Sequence, residues 1–521
     1  MFDVYIEKVN DVHIRIHATA GIREQIADVF KFRIPKYQFH PKYKAGIWDG
    51  YIKLFNPHTC LMHTGLLKEL VKFCRRYSYS VFVDPKLMGY DSIEYADVEK
   101  WFHKTLRPTD SDGDLLDVRD YQLDAITKSL KFRRVLLESA TNSGKSFVIY
   151  AILKWLFETE KIGGALIVVP TINLVHQMYA DFDEYSANSD FSSEEWVHKI
   201  YAGQDKWTDK PISLATWQSI YKMEPEWFAQ FDCIIGDEAH GCEAKSLVRI
   251  MEVMTKCPYK IGMTGSLSDF EGSLMNLQGL FGTHIKVIGA KEMIERGDST
   301  PLNIWGVMLK YPDHECKEMS RVKREMAKAN AAATQAGTAK PYSTGAEYSH
   351  EIEFLMNHGP RRKFIRNLAT SRDGNTLVLF RFETHGKQIY DDIKASVPED
   401  RPVFLIYGKV KGEVREAVRK VTDSHADAII VASYGTFSTG INIKSLKHLI
   451  LAFPYKSKIK IVQSLGRMLR LFVGKDAAMV WDICDDLQWK SQTNYAKDQF
   501  LDRLMIYRKE KHSYNLTEVK F

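Results

Sequence analysis

No two cysteines in this chain stand at metal-binding spacing. The seven, Cys60, Cys74, Cys233, Cys242, Cys257, Cys316 and Cys484, contain no CxxC and are odd in number. Neither structural zinc nor a disulfide framework is therefore expected; buried free thiols in a reducing compartment are. No apolar run approaches the ~18 residues of a membrane-spanning helix. The first residues, MFDVYIEK, carry acids early and lack a signal-peptide core. The sequence predicts an intracellular protein with no membrane contact. No repeat at a period of about 20–50 residues is visible, so repeat architectures are not expected. Charge of one sign is scarcely in excess: 72 Lys and Arg face 66 Asp and Glu, for a formal +6. Such a balance implies a polyanionic partner only where the cations cluster.

What is present is an ordinary globular composition, 45% apolar and 26% charged, over 521 residues. That length exceeds one core, and roughly three or four domains are expected. Up to about residue 106 there is no catalytic signature. Alternation predicts strands at 4–6 and 12–16, a helix over 21–32, a second helix over 66–77 and a strand over 80–83. Between them lies YQFHPKYKAGIWDGYIKLF, residues 37–55, in which six aromatics interleave with lysines. Trp48-Asp49-Gly50 reads as a hairpin tip. Lys42, Tyr43, Lys44 and Lys53 have the chemistry of a nucleic-acid surface, cations for phosphates and rings for bases. The same pattern also fits a small aromatic core with solvated lysines.

Residues 108–117, PTDSDGDLLD, read as a linker. Strand candidates then recur at 135–137, 165–169, 212–215, 233–235 and 260–263, with helical segments between, the alternation of a parallel sheet. From Pro301 the pattern weakens. Residues 321–339 read either as an exposed helix or as an insertion. A second alternation follows from near Gly359, with strands at 376–380, 403–406, 429–432, 448–451 and 478–481. A basic helix is expected over 498–511, with Arg503 and Arg508 on it.

The chemistry starts at residues 136–146, LLESATNSGKS. Strand, tight loop and helix are the setting of a phosphate-binding loop. Backbone N–H groups and the helix dipole of such a loop favour bound phosphate. Gly144 permits close backbone approach, Lys145 reaches the outer phosphates, and the Ser146 hydroxyl suits Mg2+. The usual first glycine is absent, and Ser139 stands there; alone, the pattern fits a loop with a surface lysine equally well. After the strand at 233–235 come Asp237-Glu238-Ala239-His240. Paired carboxylates at a strand end suit one metal ligand, Asp237, and one general base, Glu238; four letters alone also fit an acidic surface turn. In QSLGRMLR, Gln463, Arg467 and Arg470 are spaced i, i+4 and i+7, one face of a helix. Arginines so placed can stabilise a γ-phosphate in its transition state. A basic surface stripe is the alternative, although it leaves Gln463 and Gly466 unexplained.

Taken in order, these segments resemble the superfamily 2 helicases. The resemblance makes Arg119 and Gln122 an adenine-reading Q-motif, and residues 139–146, including Thr141, Asn142 and Ser143, motif I. Pro170, Thr171, Thr216, Trp217 and Gln218 match the motifs that hold the phosphates of the tracked strand. Asp237 to His240 is a DEAH-type motif II, with His240 part of the catalytic set, and Thr264-Gly265-Ser266 is motif III. Residues 431–442, with Ser433 for nucleic acid and Gly440 for nucleotide, resemble motif V, with Asn442 where an Asp is common. Residues 463–470 are motif VI. FHPKYKAGIWDGYIKLF followed by ATNSGKS, DEAH, VASYGTFSTGI and QSLGRMLR is similar, along the whole chain, to the UvsW-type helicases of T4-like bacteriophages. Nothing carries over to residues 312–348.

The implied fold is α/β, two RecA-like parallel-sheet motor domains plus a small N-terminal α+β domain. The expected division is 1–107 for nucleic-acid binding, a linker at 108–118, and motor domains at 119–300 and 359–497. Residues 301–358 then connect the motors, and 498–521 form a terminal basic helix. The implied activity is ATP- and Mg2+-dependent unwinding or remodelling of branched DNA (forks, Holliday junctions, D-loops, R-loops) in recombination, repair and replication restart. The partners implied are single-stranded and branched DNA, with RNA–DNA hybrid as a further substrate, for a monomer in the cytoplasm of a host cell. A duplex translocase that leaves strands paired, an RNA- or hybrid-directed helicase, and a non-hydrolysing scaffold are the other readings. Intact Lys145, Glu238 and Arg470 argue against the scaffold.

Overall fold

Alternation over the first residues does what it predicts. Val4 and Ile6 on β1 (Val4–Lys8) and Ile14 and Ile16 on β2 (His13–Ala18) all point to one face and are fully buried. The computed structural model describes every residue except 1, 90, 110–112, 244, 269, 344, 441 and 442. At 242, 243, 245, 438–440 and 459 it describes the backbone alone.

The helix expected over 21–32 ends at Val29. Residues 31–33 pair antiparallel with 51–53 instead, as β3 (Lys31–Arg33) and β4 (Tyr51–Lys53). Trp48-Asp49-Gly50 is therefore not a hairpin tip but the return into β4. Strands β5 (Phe55–Asn56), β6 (Leu61–His63) and β7 (Val81–Val83) complete a five-stranded mixed sheet, in the order β5-β6-β2-β1-β7. Helices Ala20–Val29 and Leu67–Arg76 cover its apolar face with Ile26, Leu70, Phe73 and Cys74.

The next sheet has seven strands, all parallel. They are β8 (Arg134–Ser139), β9 (Ala165–Val169), β10 (Val197–Ile200), β11 (Ile212–Thr216), β12 (Cys233–Gly236), β13 (Tyr259–Thr264) and β14 (Thr283–Ile288), ordered β10-β11-β9-β12-β13-β8-β14. Central strands such as β9 and β13 are buried at every position, as in a sheet covered by helices on both faces. The edge strands β10 and β14 are half polar, with His198 and Lys199 half-buried on β10 and Lys286 exposed on β14, so no apolar run announced them. In an open parallel sheet ligands bind outside the carboxyl ends of the strands, where the loops after β8, β9, β11, β12 and β13 gather.

The chain divides into two compact units, Met1–Gly289 and Ala290–Phe521. Within the first, the N-terminal sheet is fastened to the parallel one. Asp11 N–H donates to Thr255 O (2.9 Å), and Asp91 takes a bidentate pair from Arg133 (2.9 and 2.7 Å). His63 Nε2 meets Glu252 Oε1 at 2.6 Å and His13 Nε2 meets Glu252 Oε2 at 3.2 Å. A side chain on Gly65 would start 2.1 Å from Gln278 O, on the helix Glu271–Phe281.

The second unit holds another all-parallel sheet. Its strands are β15 (Leu302–Lys310), β16 (Thr376–Phe380), β17 (Val403–Ile406), β18 (Ile429–Ser433), β19 (His448–Leu451), β20 (Ala478–Asp486) and β21 (Tyr514–Lys520). Their order is β17-β18-β16-β19-β20-β15-β21. Residues 302–310 thus lie inside the sheet as β15, beyond the strands the sequence pattern marked. Of the two readings for 321–339 the helix is correct, over Asp313–Gln335. It is not wholly exposed: Lys323 is buried against Glu351, and Glu351 also accepts N–H groups of Tyr495 and Ala496 at the start of the helix Tyr495–Lys509. On that helix Arg503 is buried, paired with Asp482 (2.7 Å), rather than part of a basic surface. Arg361 is held likewise by Asp485 at 2.7 Å. Charges this deep persist only when paired.

Candidate active site

Strand β8 ends at Ser139, and the helix Lys145–Glu158 begins at Lys145 with Gly144 as its N-cap. Gly144 has φ of 81°, and a Cβ there would lie 2.3 Å from Gln122 Nε2, so only glycine fits. Gln122 is buried, and both ends of its amide are used: Nε2 donates to Ser143 O (2.9 Å) and Oε1 accepts from Arg119 N–H (3.0 Å). Of the predicted base-reading pair, Gln122 lies under the phosphate loop and braces it, while Arg119 N–H holds the Gln122 amide. Ser139 explains its own presence. Its hydroxyl meets that of Ser143 at 2.6 Å, both buried, closing the loop from within. Lys145 Nζ donates to the carbonyls of Ser139 and Ala140, both at 3.2 Å. Thr141 and Asn142 form the half-buried crest, with Asn142 at a positive φ of 74°. Ser146 Oγ lies 3.0 Å from the hydroxyl of Tyr185, a residue the motif reading missed and no local pattern marks.

Asp237 and Glu238 follow β12 directly. Asp237 is buried, and burial together with the neighbouring Glu238 carboxylate pushes its carboxyl up to about 6, against the pull of Lys145. Glu238 sits at φ 53°, in the left-handed region that non-glycine residues seldom adopt. His240 Nδ1 is 3.2 Å from Glu238 Oε2 and 3.0 Å from Thr264 Oγ1. One residue on, a Cβ at Gly265 would stand 3.5 Å from Lys145 Nζ and 3.2 Å from Thr141 Oγ1. The phosphate loop, the carboxylates and the 264–266 segment are therefore one continuous constellation. Its donors suit Mg2+, since Ser146 and Asp237 offer hard oxygens, and a buried carboxylate of raised proton affinity favours a cation.

The predicted strand-holding residues come together at neighbouring strand ends. Thr171 caps the helix Ile172–Tyr185, accepting from Leu174 N–H, and Gln218 Nε2 donates to Pro170 O at 3.3 Å. Thr216 Oγ1 is paired with Ser219 Oγ at 2.8 Å, and Trp217 packs over Gly241, so this surface abuts the carboxylate turn.

In the second unit the helix Lys458–Met468 carries Gln463 and Arg467, whose guanidinium lies 5.5 Å from the Phe437 ring centre. Arg470 is not on that helix, contrary to its i+7 spacing. The helix ends at Met468 with Leu469 as its C-cap, and Lys475 satisfies carbonyls at that end. Its buried ammonium donates to the carbonyls of Met468 (2.6 Å), Arg470 (3.2 Å) and Lys444 (3.4 Å), and Thr300 Oγ1 adds a bond to Arg470 O (2.8 Å). Burial, with Arg470 close by, lowers the Lys475 ammonium to about 8. Sequence reasoning missed both. Ser433 ends β18 with its hydroxyl 2.8 Å from Thr436 Oγ1, Gly440 closes the helix Tyr434–Gly440, and Asn442 lies outside the described residues.

The N-terminal lysines split. Lys42 and Lys44 are exposed on the one-turn helix Pro41–Lys44, while Lys53 is held by Asp49 at 2.7 Å. Tyr43 is not the exposed ring: it is half-buried, edge-on to Tyr37 at 4.7 Å. Trp48 is half-buried, with His40 edge-on at 5.1 Å. The exposed aromatic is Phe39. Six cysteines whose side chains are described are free thiols, all buried except half-buried Cys60. Among the described residues no helix is long and apolar enough to cross a membrane.

Comparison with known proteins agrees with this geometry. Residues 3–84 match the family described as DNA helicase UvsW, N-terminal, and residues 115–269 match Type III restriction enzyme, res subunit. The ATP-dependent DNA helicase uvsW of Enterobacteria phage T4 is 31% identical over 524 residues, covering 97% of each chain. The DNA 3'-5' translocase XPB2 of Sulfurisphaera tokodaii is 29% identical over 193 residues, 35% of this chain and 40% of that one. The crystal structure of T4 UvsW superposes with a TM-score of 0.51 at 30% identity, covering 99% of both chains.

Proposed function

This chain belongs to the UvsW family of ATP-dependent DNA helicases, and from that premise we propose that it remodels branched DNA: forks, Holliday junctions, D-loops and R-loops. Support comes from the match along nearly the whole T4 helicase. The observation that carries the mechanism is His240, whose Nδ1 meets both Glu238 and Thr264, with the next residue, Gly265, so close to the phosphate loop that a Cβ there would stand 3.5 Å from Lys145 Nζ.

The residues divide the work as follows. Backbone N–H groups of the loop and Lys145 bind the outer phosphates of ATP, and Gln122 keeps the loop in shape. Ser146 and Asp237 are the residues that would hold Mg2+, which when bound neutralises charge on the phosphates. Glu238 takes the proton of the attacking water, oriented by His240. Gln463, Arg467 and Arg470 we assign to stabilising the γ-phosphate as it leaves. Pro170, Thr171, Thr216, Trp217, Gln218 and Ser433 hold backbone phosphates of one strand. Lys42 and Lys44 contact the duplex or branch, in the cytoplasm of a host cell. The deciding experiment measures ATPase with and without DNA, and strand displacement, on forks, Holliday junctions, D-loops and R-loops against linear duplexes. Equal activity on linear and branched duplexes would sink the branch preference. DNA-stimulated ATPase without strand displacement would mean a duplex translocase.

A further inference from the structure

The geometry points to Phe39 and Ile47 as an apolar wedge that enters the base stack at a DNA branch point. The inference rests on the helicase reading above and specifies where strands would part.

Residues 34–50 form an excursion between β3 and β4, and Ile34 N–H closes its base on Gly50 O at 2.9 Å. Within it the backbone is tightly tied. Phe39 N–H donates to Lys36 O (3.0 Å) and Ile47 N–H to Lys42 O (2.9 Å). His40 Nδ1 accepts from Lys42 N–H (3.2 Å), and Trp48 Nε1 donates to Tyr51 O (2.9 Å). Tyr37 and Tyr43 pack edge to face, and Arg33 lies between the rings of Tyr37 and Tyr51, 4.6 and 4.7 Å from their centres. The excursion thus has its own small aromatic interior. Phe39 and Ile47 are left out of it, 64% and 75% exposed.

Two large apolar side chains held outward by an ordered frame cost free energy in water. Single exposed residues are common, but these two share one projection with three exposed cations, Lys36, Lys42 and Lys44. The only acid in 34–50, Asp49, is already paired with Lys53. The charge selects a polyanion over a protein face. Apolar side chains inserted between base steps unstack them for a few kcal/mol per step, offset by new contacts to bases and phosphates. A branch point, where stacking is already broken, is the least costly place to enter.

The test uses the full chain on a fork carrying 2-aminopurine at the branch-point pair, comparing the parent with Phe39→Ala/Ile47→Ala and Phe39→Leu. Truncation of exposed side chains should leave the fold within about 0.5 kcal/mol of the parent, checked by melting temperature. Expected for the double variant are loss of the 2-aminopurine signal on binding and about tenfold or more slower fork unwinding. ATPase stimulated by single-stranded DNA should stay near parental, and Phe39→Leu should keep both signal and rate. The wedge is overturned if the double variant unwinds forks like the parent, including the case in which it loses only a protein–protein association. It is equally overturned if ATPase and unwinding fall together. A parent that shows no DNA-stimulated ATPase fails the helicase reading itself, which is a different result.

Discussion

His240 Nδ1 lies 3.0 Å from Thr264 Oγ1, and the same nitrogen lies 3.2 Å from Glu238 Oε2. One imidazole therefore touches both the Glu238 carboxylate and the turn after β13. Thr264→Ala removes one partner and leaves the phosphate loop intact. ATP binding should persist, and basal hydrolysis should fall by less than about tenfold, since one hydrogen bond is worth about 1 kcal/mol. Base pairs opened per ATP should fall much further. A proportional loss of both rates would show that Thr264 serves chemistry alone.

Glu238→Gln keeps the size of the side chain and takes away the carboxylate proposed as the base. MgATP affinity should stay within a few-fold, while turnover falls by about 10²–10⁴. Single-turnover hydrolysis beside equilibrium nucleotide binding separates the two; near-parental turnover would move the base elsewhere.

Arg470→Ala should lower kcat by about 10³–10⁵ if this arginine stabilises the transferred phosphoryl group. Lys475→Met deletes three hydrogen bonds to carbonyls around Arg470 without touching its guanidinium. An intermediate loss of kcat with little change in KM is expected there. Parental kcat in Lys475→Met would show that Arg470 needs no such anchor.

The salt dependence of DNA binding should distinguish the three N-terminal lysines. Removing one cation from a DNA phosphate lowers the slope of log affinity against log salt by about 0.7–0.9. Lys42→Ala and Lys44→Ala should each do so. Lys53→Ala should change the slope less, because Lys53 is already paired with Asp49. Equal slopes for all three would contradict the division.

Lys260 offers a test by pH. It is buried on β13, donates to Met251 O at 3.2 Å, and burial lowers its ammonium from 10.5 to about 7. Between those values the unfolded chain binds a proton that the folded chain does not, so stability rises with pH across that window. Below about 7 the cost of the buried charge is fully present, on the order of a few kcal/mol. Lys260→Met should therefore raise the melting temperature, and by more at about pH 6 than at about pH 9. The opposite ordering would mean that the bond to Met251 outweighs desolvation.

The sequence was most legible where periodicity and chemistry coincide. Runs such as ALIVV at 165–169 are apolar throughout because helices cover both faces of the sheet, and they were found. The edge strands β10 and β14 are half polar, and β15 and β21 alternate beyond the apparent end of the pattern, so they were not. The phosphate loop was readable despite Ser139, since strand, Gly-Lys-Ser and helix survive the change. Its bracing by Gln122 was not readable, because that bond joins residues 21 apart. Arg470 shows the limit of spacing arguments. Seven residues place it on a helix face only while the helix lasts, and this one ends at Met468, two residues before Arg470.

The close approach at Gly65 bears on modularity. Where a Cβ would start 2.1 Å from Gln278 O, the N-terminal sheet interlocks with its neighbour instead of resting on it. Such a sheet cannot be exchanged between helicases by swapping residues 1–107 alone. A chimera that keeps Gly65 but replaces the end of the helix Glu271–Phe281, where Gln278 lies, would lose its seat, whatever the fidelity of the graft. Any successful transplant must carry both halves of the interlock, so the smallest portable piece runs from the first strand through the helix Glu271–Phe281.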